Sequence, residues 1–538
     1  MTEQQTSAPG PAATEAEQHP AGQALTVRVI ETPTLGDRTY IVHDGEEAFV
    51  IDPQRDIDRV LEVLEADDVR VTHVFETHIH NDYVTGGLAL AQATGAAYLV
   101  NAEDEVSFER TPISDGQVVE VGSRMQVRAI ATPGHTFTHL SYALTVDTGR
   151  ADGDARDRAG DETGEGSGEG SGQPYAVFTG GSLLYGATGR PDLLGEEHTD
   201  ALVRHQHASA HKLAAELPEE AEVYPTHGFG SFCSATQSDA TASTIGEEKR
   251  SNPVLTQDEE TYVRELLEGL GAWPAYYVHM GPANAAGPQA PDLSPVQEAD
   301  AVELRRRIEA GEWVVDLRNR TTFAAGHAPG TFNFGIDGAF STYLGWLIKW
   351  GTPVTLLGET SEDVDRAQRE LVRIGIDRPA AQATGDPQTW STDALDSFST
   401  ATFADLAQVR HHRDVVVLDV RRADEYQGAA IEGAVNIPIH ELPGRVAEVP
   451  AGEVWVHCAS GYRASIAASF LDASGRTPVA IDDSFENAEK VGLHLVSPDT
   501  DGLQEARRSG RCEGQGDGQD DDQQDGQRDG EQSAGVKR

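Results

Sequence analysis

The sequence predicts an α/β protein of several domains, one layered domain followed by two open-sheet domains. Three observations carry this. A chain of 538 residues exceeds the ~100–200 residues that one domain usually holds. Residues 25–180 supply short β-rich runs broken by helical patterns, whereas residues 300–497 alternate strand and helix as an open α/β sheet does. Finally, two stretches of the second half repeat each other.

In chain order, residues 1–24 are rich in Ala, Pro, Gln, Glu and Thr and are expected to form a disordered acidic tail. They lack the basic region followed by an apolar one that marks a secretory signal. A layered domain is expected over 25–290. Its strand-like runs include "TVRVIET", "TYIVHD", "EAFVIDP", "VTHVFET" and "MQVRAIAT", and its helical patterns include Asp56 to Asp67 and Thr85 to Thr94. Residues 149–173, with the repeat "EGSGEGSG", are too polar to bury a core and read as a disordered insertion between two strands. The repeat then sets "VVDLRNRTTFAAGHAPGTFNF" (314–334) against "VVLDVRRADEYQGAAIEGAVNIP" (416–438). Each copy places a buried strand ending in Asp and Arg before an aromatic, a Gly-rich turn and an Asn. Two copies of one domain follow, over 295–392 and 396–497, with a disordered acidic tail over 498–538.

Charge excludes some partners. With 41 Lys and Arg against 89 Asp and Glu, the net charge is −48. Such an acid excess repels nucleic-acid phosphates and anionic lipid, so neither is an expected partner. Salt screens its self-repulsion, which fits the cytoplasm of a salt-accumulating halophile. No run approaches the ~20 apolar residues that span a bilayer. Three cysteines, Cys233, Cys458 and Cys512, cannot make a disulfide framework in so long a chain, and a reducing cytoplasm is the expected location.

The densest chemical cluster is "ETHIHNDYVTGG", Glu76 to Gly87. His78 and His80, two apart at a strand end, can turn both imidazoles toward one ion, and Asp82 can join them or orient a ligand. "TPGHTFTHLSY" presents His135 on a tight turn, and His227 in "YPTHGFG" follows a similar strand. His78, His80 and His135 are the expected metal ligands, with Asp82 and His227 as further ligands or supports.

This series resembles the metallo-β-lactamase superfamily over about residues 25–250, which implies an αββα sandwich with a metal at one edge. "GRPDL" (189–193), "STIGEEKRSNP" (243–253) and "YYVHMGPANAAGP" (276–288) are similar to the branch holding persulfide dioxygenases and their rhodanese fusions, with glyoxalase II hydrolases as cousins. There are two departures from the family pattern. Tyr83 stands where the fuller H-x-H-x-D-H motif has its last histidine, and a phenol is a poor ligand for a second divalent ion. Gly181 stands where the family has a metal-binding Asp after "FTG". A two-metal hydrolase is therefore disfavoured. One divalent metal is expected: Fe(II) by the resemblance, with Zn(II) as the alternative that nitrogen-rich ligation favours.

The second cluster is "VWVHCASGYRAS", 454–465. A buried strand ends at Cys458, and Ala459, Ser460, Gly461, Tyr462 and Arg463 complete a six-residue loop into a helix. Backbone N–H groups converging on a cysteine at such a helix start, with Arg463 near, favour thiolate and hold a terminal anionic sulfur. The loop length, "LDVR" (418–421) and "GAVNIP" (433–438) resemble rhodaneses. The first repeat has Gly358, Glu359 and Thr360 at the matching strand end, and no cysteine lies between 234 and 457, so it forms no persulfide. A structural or docking role is expected there.

The expected function is oxidation of a low-molecular-weight thiol persulfide to sulfite, coupled to sulfur transfer through Cys458. The alternatives are a mononuclear zinc thioester hydrolase and a sulfur-carrier or docking protein with a degenerate metal site. The expected partners are a small-molecule thiol persulfide or thiosulfate. Assembly into a homo-oligomer is left open.

Overall fold

The computed structural model describes residues 25–146, 174–236 and 240–498. The expected disordered segments 1–24, 149–173 and most of 498–538, together with Cys512, lie outside the described residues. No helix among the described residues is long and apolar enough to cross a membrane.

Two sheets build the first domain. One runs Thr26–Thr32, Asp37–His43, Glu47–Ile51, Arg70–Phe75, Ala97–Asn101 and Thr111–Ile113 in spatial and sequence order. The other runs Glu222–Pro225, Pro174–Gly180, Leu140–Val146, Met125–Ala131 and Val118–Val121. Period-two alternation sends one face of each strand inward. Tyr40, Val42, Phe49, Phe75, Val127, Tyr142 and Phe178 fill the space between the sheets. Helices Asp58–Ala66 and Gly87–Thr94 cover the outer face of the first sheet, and the long helix Glu196–Glu216 covers that of the second. This is the expected αββα sandwich. The parallel run Glu47–Ile51, Arg70–Phe75, Ala97–Asn101 matters for function, because parallel strands deliver their C-terminal loops to one edge.

The two repeats fold alike. A four-stranded parallel sheet, Phe332–Asn333, Trp313–Asp316, Val354–Gly358, Ala381–Thr384, is followed by a five-stranded parallel one: Ser399–Ala401, Thr477–Ile481, Glu453–His457, Val416–Asp419, Val435–Asn436. Buried polar contacts repeat with them. Arg318 Nη2 meets Asp316 Oδ2 at 2.6 Å, and Arg421 Nη2 meets Asp419 Oδ2 at 2.6 Å. Asn333 Nδ2 donates to the carbonyls of Asp316 and Arg318, as Asn436 Nδ2 does to those of Asp419 and Arg421.

All three units pack together. A single apolar cluster runs from Tyr83, Cys233 and Tyr276 of the first domain through Leu344 and Trp346 of the first repeat to Val456 and Cys458 of the second. Polar ties reinforce it: the Arg373 guanidinium grips the buried Asp56 carboxylate at 2.6 and 3.1 Å, and Val84 N donates to Arg373 O at 2.7 Å.

Candidate metal centre and persulfide loop

Each histidine of the first site sits just past a strand, where the sheet stops pairing and the backbone turns toward the sandwich edge. His78 and His80 follow Arg70–Phe75, His227 follows Glu222–Pro225, and His135 lies on the turn joining Met125–Ala131 to Leu140–Val146. The helix Tyr277–Ala286 pins the H-x-H-x-D loop. Its buried Asn284 donates through Nδ2 to the carbonyls of His80 and Tyr83 at 2.8 Å each and accepts from Thr85 N at 2.9 Å. That gives "GPANAAGP" a mechanical role.

The expected ligands come together. Ring centroids of His78 lie 4.1 Å from His80, 4.8 Å from His135 and 5.3 Å from His227, and all four side chains are buried. Hydrogen bonds fix three tautomers. Thr77 Oγ1 gives its proton to Asp52 Oδ2 at 2.7 Å, so at 2.9 Å it accepts from His78 Nδ1. The Arg190 carbonyl can only accept, so His135 Nδ1 donates to it at 2.8 Å. His227 Nδ1 faces Asp37 Oδ1 at 2.9 Å and Asp82 Oδ2 at 3.1 Å, and is again the protonated nitrogen. With Nδ1 engaged in each ring, Nε2 is the nitrogen left for the centre, and the Nε2 atoms of His78 and His227 are 3.4 Å apart. This is the support that metal-binding histidines characteristically have.

His80 is turned the other way. Its Nε2 faces Tyr83 Oη at 3.0 Å, Glu76 Oε2 at 3.2 Å and Asp52 Oδ1 at 3.3 Å, leaving Nδ1 toward the centre. Tyr83, completely buried, thus serves as a support for His80. His139, which sequence reasoning passed over, is no ligand. Gly181 N donates to its Nε2 at 3.0 Å, and its Nδ1 meets Thr132 Oγ1 at 2.9 Å.

Burial pushes the pKa of His135 down to about 3 and those of His78 and His139 well below the ordinary value. Neutral imidazole is the form that binds metal. Burial also opposes charge on His80 and His227, but carboxylates overcome it. Asp52 and Glu76 lift His80 to about 9, and Asp82 with Asp37 holds His227 well above its usual value.

The donor set fits a cation. Nitrogen atoms of His78, His80 and His227 lie within 4.8 Å of one another, as do donors of His135, His227 and Cys233, and those of Asp37, Asp82 and His227. Moreover, His80 Nδ1, His135 Nε2, Asp82 Oδ1 and Asp37 Oδ2 are buried without a hydrogen-bond partner. Buried polar atoms left so are costly, and a divalent ion that displaces the protons held on His80 and His227 satisfies several together. Gly181 contributes no side chain, and the His135 ring lies against it.

Sequence reasoning does not single out Asp37, Asp52 or Glu76 as site residues, and it reads Cys233 as a small buried hydrophobe that could also line the metal pocket. Asp52 had a readable signal: an ionisable residue ending the apolar run "AFVID". It takes a left-handed φ of 51°, rare for a non-glycine residue and a mark of functional sites.

At the second site, Cys458 ends the strand Glu453–His457 and is almost wholly buried. Gly461 N donates to its Sγ at 3.1 Å, and the helix Tyr462–Ala473 begins at the next residue. Gly461 has φ 98°, and a Cβ there would strike the Asp482 carboxylate. Arg463 donates from Nη1 and Nη2 to Glu425 at 2.6 and 2.9 Å. The fork is thus committed to a carboxylate, and Arg463 acts on the sulfur as a nearby charge rather than a direct donor. Tyr462 Oη donates to Gly335 O at 2.9 Å, Ser465 Oγ to Asn333 Oδ1 at 2.8 Å, and Arg320 Nε to Asp482 Oδ1 at 2.7 Å. The cysteine-free repeat therefore buttresses the loop of its twin. Its own matching turn is shorter, with Thr360 capping the helix Ser361–Arg373 directly, so no cradle forms there.

Comparisons with known proteins follow the same division. The metallo-beta-lactamase superfamily model matches residues 35–227, and the rhodanese-like domain model matches 402–490. The chain is 37% identical over 130 residues to a hydroxyacylglutathione hydrolase of Acidiphilium cryptum (strain JF-5), covering 23% of this chain and 52% of that one. It thus spans only about half of that hydrolase. It is 25% identical over 248 residues to the mitochondrial persulfide dioxygenase ETHE1 of Homo sapiens, covering 45% of this chain and 81% of that one. A metallo-beta-lactamase from Staphylococcus aureus subsp. aureus COL superposes with TM-score 0.57 at 24% identity, covering 68% of this chain and all of that one; this is a likeness of fold.

Proposed function

Because the chain joins a metallo-β-lactamase superfamily domain to a C-terminal rhodanese-like domain, we propose that it oxidises a low-molecular-weight thiol persulfide to sulfite and exchanges sulfur through Cys458. The observation that carries this reading is the pairing of a histidine-rich centre, in which Tyr83 backs His80, with a cysteine whose Sγ accepts a backbone N–H at a helix start.

In the transfer step, the Cys458 thiolate attacks the outer sulfur of the donor persulfide. The donor's S–S bond breaks, the donor leaves as thiolate, and the transferred sulfur keeps its negative charge as the terminal sulfur of the new Cys458 persulfide. Gly461 N and the start of the following helix are placed to hold that charge. Arg463, fixed by Glu425, contributes positive potential without being drawn onto the sulfur.

In the oxidation, persulfide, O₂ and water give thiol and sulfite, the outer sulfur being oxidised as O₂ is reduced. A divalent metal, Fe(II) in this reading, would be held by His78, His80 and His135 and would supply the activation of sulfur and O₂ toward each other. The protein's share is to hold neutral imidazoles at His78 and His135, with Asp52, Thr77 and Arg190 fixing their orientation. Burial around Tyr83 and Tyr276 excludes bulk water.

The decisive experiment is O₂ uptake with glutathione persulfide by iron-loaded protein, with sulfite measured alongside. Absence of uptake, with metal shown to be bound, overturns the oxygenase reading. The second reading, a mononuclear zinc thioester hydrolase, is favoured by the likeness to hydroxyacylglutathione hydrolases. Hydrolysis of S-lactoylglutathione by zinc-loaded protein, without persulfide-dependent O₂ uptake, establishes it instead.

A further inference from the structure

We propose that Cys233 is a metal ligand, acting with His135 and His227 and replacing the anionic donor that Gly181 cannot provide. This rests on the reading of the histidine cluster as a metal site.

A cysteine at 0% exposure is ordinarily a small core hydrophobe. Its neighbours here argue otherwise. One donor atom each from His135, His227 and Cys233 lies within 4.8 Å of the others, and the Asp82 carboxylate is near enough to bear on the thiol electrostatically. The thiol thus sits where the apolar cluster of Tyr83 and Tyr276 meets two imidazoles, a position that a purely apolar role does not require.

The loop carrying Cys233 is built onto the same residue that orients His135. Arg190 N donates to Cys233 O at 2.8 Å, and Arg190 Nη1 to Phe232 O at 3.3 Å. Arg190 O, in turn, receives His135 Nδ1 at 2.8 Å. Cys233 N donates to Ser231 Oγ at 3.1 Å, which closes the turn. Arg190 thus fixes one imidazole and the thiol together, and its own guanidinium is held by Asp192 at 2.7 and 2.8 Å. The His135 Nε2 that results is fully buried and has no partner. It is an independent sign that an electron-poor partner belongs at this ring.

Charge balance supports the assignment. Two imidazoles bring no charge to a divalent ion, and Gly181 removes the usual carboxylate. A thiolate restores one negative charge at the ion, while Asp82 and Asp37 face His227 Nδ1 from the other side of its ring. Thiolate is a strong donor at such a site, because the bound ion deprotonates it. Its softness favours zinc over iron, so loading with iron alone belongs in any oxygenase assay.

The test uses the full chain carrying Cys458→Ser and Cys512→Ser, which leaves Cys233 as the sole thiol, loaded with Co(II) without oxygen. Bound Co(II) is expected to show the near-ultraviolet sulfur-to-cobalt charge-transfer absorption of a thiolate ligand. Adding Cys233→Ser should remove that absorption and weaken Co(II) binding by about tenfold or more. Adding Cys233→Asp instead should remove the absorption but recover much of the affinity. Co(II) bound by the sole-cysteine protein without the absorption overturns the proposal and leaves the metal site standing, and this measurement needs no variant at 233. Failure to bind Co(II) at all overturns both.

Discussion

The imidazole of His135 lies against Gly181: a Cβ built on that glycine would sit 2.7 Å from Cγ and 3.0 Å from Nε2 of the ring. Those separations are closer than packed atoms tolerate, so glycine and histidine have shaped each other. Substituting Gly181→Ala should displace the ring, pull Nε2 off the centre and lower metal affinity by about tenfold or more. Gly181→Asp should do no better, despite restoring the carboxylate of the family pattern. Equilibrium dialysis against zinc measures both. Unchanged affinity in the alanine variant means that His135 moves freely and is not a positioned ligand.

The Cys458 loop depends on a glycine as much as on its cysteine. Cys458→Ser should abolish sulfur uptake from thiosulfate or glutathione persulfide, read as the mass of one added sulfur. Gly461→Ala keeps the thiol but meets Asp482 and requires a left-handed φ. It should cost about 1–3 kcal/mol of stability and most of the sulfur loading. Full loading in this variant would show that the Gly461 N–H does not hold the terminal sulfur.

Much of both sites was legible because their chemistry is local. His78, His80 and Asp82 share one loop, and Cys458 and Gly461 share another, so spacing alone announced them. The residues that complete the candidate metal centre come from far along the chain. Asp37 reaches His227 across 190 positions and Asp52 reaches Thr226 across 174, pairings that only the sandwich creates. His139 was visible as a histidine, but its role depends on Gly181 N. Arg463 was expected beside the sulfur, and Glu425, on the helix Ala423–Gly428, takes its fork instead. The repeat was legible through its Asp, Arg and Asn, which proved to bond identically in both copies.

The domain contact should be sensitive to one arginine. Asp56 is buried, and Arg373 supplies its closest bond, with Arg59 and Arg369 also near. Arg373→Met should cost about 2–4 kcal/mol, somewhat less than for a lone buried pair because the other arginines remain. Hydrogen exchange should rise along Ser361–Arg373 and at Val84, whose N–H bonds the Arg373 carbonyl. A variant as stable as the parent would mean that the apolar cluster alone joins the domains.

One acid in the first domain should make stability fall as pH rises. Burial pushes the Asp104 carboxyl up to about 6, and its Oδ2 has no hydrogen-bond partner. Its folded pKa therefore exceeds the ordinary value near 3.8. Between about pH 4 and pH 6 the folded protein holds this proton more tightly than the unfolded chain, so ionisation there costs stability. The contribution is present below pH 4 and lost by the time pH passes 6. Asp104→Asn keeps an acceptor for Thr138 Oγ1 and removes the charge. It should stabilise the protein by about 1 kcal/mol at pH 7, allowing for partial solvent screening, and the gain should vanish toward pH 4. Urea unfolding of both proteins at the two pH values, in the same salt, measures the difference. A gain independent of pH would place the effect in packing rather than in the proton.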